Sequence, residues 1–452
     1  MELLYRKLIQ QFFYKKITER VFYMVKIIEL ENGIQVILDT MPHLRTVSFG
    51  VWVKVGSVNE TIENNGISHV IEHCLFKGTK TRSAKQLAGE ISAIGDQLNA
   101  FTSKECTAFY GTTLTEYLPK MIELVGDMLY NSTFEEEALQ KELGVILEEI
   151  DMYDDSPEDL VHELLEKNVW KNHALGYIIS GEKSVVSKMT RQQLLDYMKL
   201  HYCGSNMVIS VAGGFEEEQT IQNIKRYFEM IPKYGIGQYK TIDCNTAPIF
   251  HRCLCERTKD VEQLYMNLAF PTIKESDEQR HTQVILNGLL GGSNNSRLFQ
   301  QIREELGLAY SVYSYSSLFH HAGLFHVDVI INPDNAKQVY DKLNEIFIDF
   351  ATNPVKEQEV NSLYHQIRIE MIMGSESARN HMERNAKALL NHGRYIPLEE
   401  GLQKLSKVTN EMVCDFSAKY LNMEQAGICF VGDIKEEVNK IKDDWNRKQS
   451  LL

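Results

Sequence analysis

The stretch HVIEH, residues 69–73, determines how the rest of the chain is interpreted. His69 and His73 are four residues apart, so on a helix their imidazoles lie one turn apart on the same face. Both rings can then reach one metal ion, and zinc is commonly held by histidines together with a carboxylate. Glu72 leans over the same face. The stretch therefore predicts a helix that carries two zinc ligands and an acidic neighbour.

A catalytic zinc site needs a third protein ligand and an open fourth position. The best candidate is Glu149, which lies well downstream of His73 in the segment GVILEEIDMYDD. Glu142 lies two helical turns earlier on the same face. Five-residue patterns also arise by chance, and an isolated histidine is more often a structural residue than a ligand. The assignment therefore depends on whether other motifs in the chain agree with it.

Length and composition indicate a globular protein of two domains. The chain has 452 residues, of which 43% are hydrophobic and 24% are charged, and this length favours two domains. It has no run of 18 apolar residues, which a membrane span would need. The net charge of −14 argues against a nucleic-acid partner, since that would require a basic face. The eight cysteines lack a disulfide-like framework, which favours reduced thiols in a cytoplasm-like compartment.

The N-terminal residues 1–23 are amphipathic and basic, without the apolar core and cleavage site of a secretory signal. We interpret them as a leader or an extra segment and expect the folded domain to begin at Met24. The segment 26–40 then predicts two strands around an Asn-Gly turn. The segment 46–57 alternates, and it predicts a half-buried strand.

The segment 98–114 is rich in Thr, Phe and Tyr and predicts one strand. Three long helical patterns follow it, at 115–129, 135–153 and 158–170. Strands followed by helices are typical of an α+β layer, in which helices cover one face of a sheet.

An internal repeat indicates that this layer occurs twice. The segment from Ser187 to Phe215 aligns without gaps with the segment from Ser406 to Ile434. Each copy predicts a helix followed by an apolar strand that ends in glycine. We therefore predict an α+β protein of two homologous domains, each a mainly antiparallel sheet with helices packed on one face. The predicted parts are a zinc-binding domain at 24–232, a linker at 233–250 and a second domain without zinc at 251–452.

These motifs together resemble the insulinase/pitrilysin-type inverted zinc peptidases, in which His-x-x-Glu-His inverts the common His-Glu-x-x-His order. Residues 24–435 are similar to the branch that includes mitochondrial processing peptidase and its bacterial homologues, and to its processing-peptidase-like metallopeptidase fold. The resemblance implies one Zn²⁺ per chain. It assigns the metal site as follows: ligands His69, His73 and Glu149, general base Glu72, and a further acidic residue, Glu142.

The resemblance also assigns substrate-binding residues. Asn99, Ala100 and Phe101 match a strand along which the family's substrates lie as an added β-strand. Arg303 and Tyr310, in the second domain, match an Arg/Tyr element that donates to the oxyanion or to neighbouring substrate carbonyls. Without the zinc motif, these two residues would instead be interpreted as a surface charge and a packing residue.

The implied function is a zinc metalloendopeptidase that hydrolyses extended peptides or unfolded segments. Glu72 would take a proton from the zinc-bound water and pass it to the leaving amine. One alternative is a non-catalytic scaffold subunit of the same fold. Another is the catalytic subunit of a heterodimeric processing peptidase. The intact set His69, Glu72, His73 and Glu149 argues against a scaffold, which has no need of them.

One chain carries both the zinc motif and the Arg/Tyr element, and this favours a homodimer. Longer relatives place four such domains on one chain around a chamber, so two copies would rebuild the four. Each site would then be composite, with Arg303 and Tyr310 supplied by the partner. We expect a bacterial cytoplasmic protein, with the mitochondrial matrix as the lesser alternative.

Overall fold

The structure is a computed structural model that describes residues 25–95, 97–236 and 246–449. The predicted leader, residues 1–23, and the central part of the predicted linker, residues 237–245, lie outside the described residues. The described chain contains two β-sheets with helices around them. The strands of the first sheet all precede the predicted linker and those of the second all follow it, whereas the domain bounds themselves stay a prediction.

The first sheet has the order β1-β2-β6-β3-β5-β4. Its strands are β1 (Val25–Glu29), β2 (Gln35–Thr40), β3 (Thr46–Val53), β4 (Asn99–Thr102), β5 (Thr107–Leu114) and β6 (Met207–Gly213). The second sheet has the order β7-β11-β8-β10-β9. Its strands are β7 (Leu254–Thr258), β8 (Leu264–Thr272), β9 (Ala309–Leu318), β10 (Gly323–Ile331) and β11 (Gly427–Gly432). One neighbouring pair in each sheet is parallel, β2 with β6 and β7 with β11, so both sheets are mainly antiparallel as predicted.

Helices surround each sheet. Those of the first half are α1 (Ile67–Leu75), α2 (Ala84–Ala93), α3 (Leu118–Asn131), α4 (Glu136–Asp155), α5 (Pro157–Val169), α6 (Lys183–Val186), α7 (Arg191–His201) and α8 (Glu217–Phe228). Those of the second half are α9 (Arg280–Leu290), a π-helix (Phe299–Glu305), α10 (Ala336–Thr352), α11 (Glu357–Gly374), α12 (Ala378–His392), α13 (Leu398–Leu405), α14 (Asn410–Tyr420) and α15 (Glu436–Gln449). None of the described helices combines the length and apolar character that crossing a membrane requires.

The predicted repeat corresponds to the helix–strand pairs α7–β6 and α14–β11. Thr190 and Thr409, which the alignment pairs with each other, are the N-caps, and each side chain accepts a hydrogen bond from a backbone N–H of the first turn. The two strands end at Gly213 and Gly432, whose φ angles are 129° and 131°. A Cβ at either glycine would lie within 2.4 Å of a backbone oxygen. The duplication therefore extends to the backbone conformation.

Strand β3 is buried on both faces, so the prediction of a half-buried strand is wrong. Val51 and its neighbours on one face pack in the core beneath the helices of the first half. Trp52, on the other face, has no exposed surface and packs with Met382 and Ala386 of α12. Because α12 lies in the other half of the chain, the alternating pattern within β3 could not predict that α12 buries its second face.

The second sheet receives the reciprocal cover from α5 of the first half, where Leu165 and Val169 share a core with Val431. His162 on α5 and His381 on α12 are related by the same offset in sequence as the two N-cap threonines. Each imidazole contacts a buried carboxylate on the sheet of the other half. His381 Nδ1 lies 2.7 Å from Asp39 Oδ2, and His162 Nε2 lies 3.2 Å from Asp328 Oδ1. Thus the two halves are joined by an exchange of helices.

The segment 98–114 forms a hairpin of two strands, β4 and β5, where a single strand was predicted. The chain reverses between Ser103 and Cys106, and the Ser103 backbone N–H donates to the Cys106 carbonyl at 2.8 Å. Strand β4 pairs with β5 alone and ends the sheet. As a result, the predicted substrate strand, Asn99 to Phe101, lies at a sheet edge.

Candidate functional site: a metal centre beside an edge strand

Helix α1 carries the HVIEH stretch, and its start is fixed by Gly66 and Glu60. Gly66 has a φ of +96°, and a Cβ there would lie 2.9 Å from the Ser180 carbonyl oxygen. The Glu60 carboxylate accepts hydrogen bonds from the backbone N–H groups of Gly66 (2.7 Å) and Ser68 (2.9 Å). A carboxylate suits the first turn because the N–H groups there have no partners within the helix. Burial raises the pKa of Glu60, and these hydrogen bonds oppose the rise.

The three predicted zinc ligands come together. One nitrogen each of His69 and His73 and one oxygen of Glu149 lie within 4.8 Å of one another. Glu149 Oε2 lies 3.9 Å from His69 Nε2 and 3.6 Å from His73 Nε2. Helix α1 supplies both imidazoles from consecutive turns, and α4 packs against α1 to supply the carboxylate. In the described part of the chain this is the only such metal-binding group.

The donor set fits a zinc ion. Ligand atoms at zinc–ligand distances of 2.0–2.2 Å lie about 3.4 Å apart around a tetrahedral centre, close to the separations from Glu149 Oε2. Burial, assisted by the neighbouring His73, lowers the pKa of His69 to about 4. The imidazole of His69 is therefore neutral near pH 7, which is the form that binds a metal. Two imidazoles and a carboxylate also leave a fourth position open, as in catalytic zinc sites.

Glu142, the further acidic residue that the resemblance implied, lies behind His73. Its Oε1 lies 3.2 Å from His73 Nδ1, and its Oε2 forms an ion pair with Lys77 Nζ at 2.7 Å. A carboxylate behind a ligating histidine orients the ring and increases its basicity. Lys77, which the sequence analysis missed, follows His73 by one turn, and that spacing was the available signal.

Glu72 lies beside the cluster and is held by the edge strand. Thr102 Oγ1, at the end of β4, donates a hydrogen bond to Glu72 Oε2 at 2.5 Å. Burial raises the pKa of Glu72, and the Thr102 hydrogen bond opposes that rise. A carboxylate with a raised pKa is a better general base near neutral pH. Thr102 could not be predicted from the sequence, because it lies 30 positions from Glu72 and no local pattern connects the two residues.

Tyr153 is a third residue near the site that was not predicted from the sequence. Its hydroxyl donates a hydrogen bond to Glu149 Oε1 at 3.1 Å, one helical turn beyond the ligand on α4. The i, i+4 spacing was a usable signal, because such pairs face each other on a helix.

The outer edge of β4 presents backbone groups beside the metal site. Asn99 is exposed and Phe101 is half-buried. The Ala100 N–H donates to the side chain of Asn99 at 2.8 Å, so this N–H does not contribute to the ladder with β5. A sheet edge whose outward N–H is bonded only to a side chain can still pair with an added strand.

Arg303 and Tyr310 lie on the second half. Arg303 is on the π-helix, where its guanidinium lies 4.8 Å from the Phe299 ring centre. Tyr310 is the second residue of the edge strand β9, and 60% of it is exposed. Within the described residues, neither forms a hydrogen bond or ion pair with the metal cluster. The structure of one chain thus brings the metal residues together, and no described hydrogen bond or ion pair links the Arg/Tyr element to them.

A cavity of about 1550 Å³ lies between the two halves of the chain. It is lined from both sides, for example by Glu166 and Phe319, and contains none of the metal-site residues. In a single chain, the candidate metal site is therefore not part of this cavity.

The fold and the site define a metallopeptidase built from two α+β halves, of which the first carries the candidate metal ligands. Residues 35–183 match the family model described as Insulinase (Peptidase family M16), and residues 188–367 match that of the Peptidase M16 inactive domain. The chain belongs to this insulinase family, so the resemblance is confirmed, as are the fold class, the zinc metallopeptidase class and the Zn²⁺ cofactor. The second half, which lacks a zinc motif, contributes most of the match to the inactive domain.

Relatives and solved structures agree with this assignment. The chain is 36% identical to an uncharacterized zinc protease of Bacillus subtilis over 86% of this chain and 94% of that one. It is 32% identical to an uncharacterized zinc protease of Streptomyces coelicolor, over 90% of this chain and 89% of that one. A crystal structure of a protease from Helicobacter pylori shares the fold, with a TM-score of 0.82 and 19% identity over 91% of this chain and 99% of that one.

Proposed function

We propose that the protein is a zinc endopeptidase that hydrolyses extended peptides or unfolded segments, with His69, His73 and Glu149 as ligands and Glu72 as the base. The observation that carries the proposal is the convergence of these ligand atoms beside the Glu72 carboxylate. A non-catalytic scaffold subunit would not need this arrangement of ligand atoms and carboxylate. Zinc, when bound, supplies Lewis-acid polarisation of the scissile carbonyl and acidifies the attacking water.

Each residue of the proposed site then has a separate role in catalysis. Glu72, oriented by Thr102, accepts the proton of the attacking water and delivers it to the leaving amine. Glu142 holds the ring of His73. The substrate backbone pairs with the outer edge of β4, where its carbonyl replaces the Asn99 side chain on the Ala100 N–H. An added strand has to be extended, which favours unfolded substrates over folded ones.

Arg303 and Tyr310 supply the remaining donors. Their exposure, and the lack of a described hydrogen bond or ion pair from either to the metal cluster, support a composite site in which a second copy provides them. A twofold homodimer closes this arrangement, because each copy gives its first half and receives the partner's second half. The bacterial origin of the relatives supports a bacterial cytoplasmic location for this dimer.

The proposal is tested with Glu72→Gln, which removes the base and leaves the ligands. We expect one zinc per wild-type chain by metal analysis and cleavage of a mixed peptide library. The variant should keep its zinc and lose about 10²–10⁴-fold in turnover. His73→Ala, as the matched ligand variant, should lose both zinc and activity. A Glu72→Gln enzyme within tenfold of wild type would refute the role of Glu72.

A further inference from the structure

The two oxygens of Glu149 have different surroundings. Oε2 faces the imidazole nitrogens of His69 and His73, at 3.9 Å and 3.6 Å. Oε1 accepts the hydrogen bond from the Tyr153 hydroxyl at 3.1 Å. The carboxylate is therefore presented to the metal position by one oxygen, while the other is held by a neighbour on the same helix.

We propose that Tyr153 is a positioning residue that restricts Glu149 to binding zinc through Oε2 alone; this inference rests on the proposed function. A carboxylate can bind a metal through one oxygen or through both. If Oε1 swung toward the ion, it would occupy space that the attacking water needs. The hydroxyl of Tyr153 holds Oε1 back and keeps the fourth position open.

The positions of the two residues suit this role. Tyr153 follows Glu149 by one turn of the 20-residue helix α4, so the backbone fixes the distance between them. The phenol is a neutral donor at ordinary pH, and it can hold the carboxylate without competing for the metal as a charged group would. Glu142 holds His73 in a similar way. Two of the three ligands thus have a dedicated partner.

The test uses Tyr153→Phe, which removes the hydroxyl and keeps the ring. We expect its zinc dissociation constant, measured by competition with a chromophoric chelator, to rise about 10–100-fold, as when other partners of metal ligands are removed. In the cobalt-substituted protein, binding through both oxygens should weaken the visible absorption relative to the four-coordinate wild type. Turnover at saturating zinc should fall as well.

Tyr234→Phe is the matched control, because Tyr234 is exposed and its ring contacts Lys233. It should leave both the affinity and the cobalt spectrum at wild-type values. Thermal unfolding of the metal-free proteins shows whether Tyr153→Phe is folded. If Tyr153→Phe does not fold, Tyr153→His is used in its place, because histidine restores a hydrogen-bond donor. The cobalt spectrum and zinc affinity of Tyr153→His are expected to match those of the wild type.

The outcomes separate this inference from the function on which it rests. A wild-type protein that binds no zinc would overturn the proposed function. A wild-type protein that binds zinc, together with a folded Tyr153→Phe variant of equal affinity and spectrum, would overturn the role of Tyr153 alone. If Tyr153→His is used in place of Tyr153→Phe, a folded variant with weakened zinc affinity would likewise overturn the role of Tyr153.

Discussion

Glu72 and Glu149 are both half-buried carboxylates near the metal position, yet their neighbours give them different roles. The Glu149 oxygen that faces the imidazoles is the proposed zinc ligand, whereas Glu72 is held by Thr102 at the end of β4, the proposed substrate strand. The hydrogen bond from Thr102 favours the ionised form of Glu72, which is the form that accepts a proton. In the proposed mechanism, Thr102 at the end of the substrate strand therefore also orients the base.

Thr102→Val tests this orientation. The change keeps the β-branched shape and removes the donor to a charged acceptor, which is worth about 1.5–3 kcal/mol. We expect kcat to fall about tenfold or more while the zinc content stays at one per chain. Thr102→Ser restores the hydroxyl and should recover most of the rate. Equal kcat values for Val and wild type would show that Thr102 serves packing alone.

At the scale of elements, the edge strand β4 is where the proposed substrate site meets helix α1. It packs against α1 and pairs with β5 on one side, so its other side is available to a peptide. The side chain of Asn99 covers the outward N–H of Ala100. Such cover protects an exposed edge against unwanted pairing.

Ala100→Pro tests strand addition. Proline removes the outward N–H, and it is tolerated where that N–H faces away from the ladder. One lost hydrogen bond is worth about 0.5–1.5 kcal/mol, so kcat/KM should fall roughly 3–10-fold, mainly through KM. Ala100→Val is the control with similar bulk and an intact N–H. Equal loss in both variants would show that bulk, and not backbone pairing, matters.

At the scale of the whole molecule, the exchanged helices α5 and α12 join the two halves. Both nitrogens of His381 face acceptors, Asp39 Oδ2 at 2.7 Å and the Ser375 carbonyl at 2.8 Å. Asn385 also donates to Asp39 at 2.9 Å. Because Asp39 is 1% exposed, its charge depends on these partners.

His381→Ala should lower the free energy of unfolding by about 3–5 kcal/mol, since it leaves a buried carboxylate without its imidazole. Urea denaturation measures the loss. The matched control is Lys141→Ala, which breaks the exposed ion pair with Glu137 and should cost far less, because an exposed ion pair contributes little to stability. If both variants lose the same small amount, the contact with Asp39 does not hold the halves together.

Asp39 should also make stability depend on pH. Burial alone would raise the pKa of Asp39, but hydrogen bonds from His381 and Asn385 bring it below its ordinary value. A lowered pKa in the folded state adds stability above the unfolded pKa of about 3.9, and this is lost as pH falls through the folded-state pKa. The destabilisation caused by Asp39→Asn should therefore be largest near pH 7 and shrink below about pH 4. A pH-independent difference would contradict this.

The composite site is tested by complementation between two inactive variants. Glu72→Gln loses the base, and Tyr310→Phe loses a donor worth about 10²–10³-fold in kcat. If the halves act across a dimer, a mixed dimer has one site with both defects and one intact site. Activity should then return when the variants exchange subunits. No return of activity, despite exchange demonstrated with labelled subunits, would place the complete site within one chain.

The sequence by itself determined the features that depend on neighbours along the chain. The spacing of His69 and His73 follows from the helical repeat, and Glu142 and Glu149 share one helix face for the same reason. The gapless repeat predicted the duplicated α+β halves, including the glycine that ends each strand. These features depend on residues close together in the chain, so they can be predicted from the sequence.

The tertiary structure decided the features that join distant segments. The hydrogen bond of Thr102 to Glu72, the second buried face of β3 and the contact of His381 with Asp39 all link residues that are far apart in the chain. The pattern of β3 alone could not show that Trp52 is covered, because burial depends on which helix packs there. Helix α12 comes from the other half, and its position is set by the packing of the complete molecule.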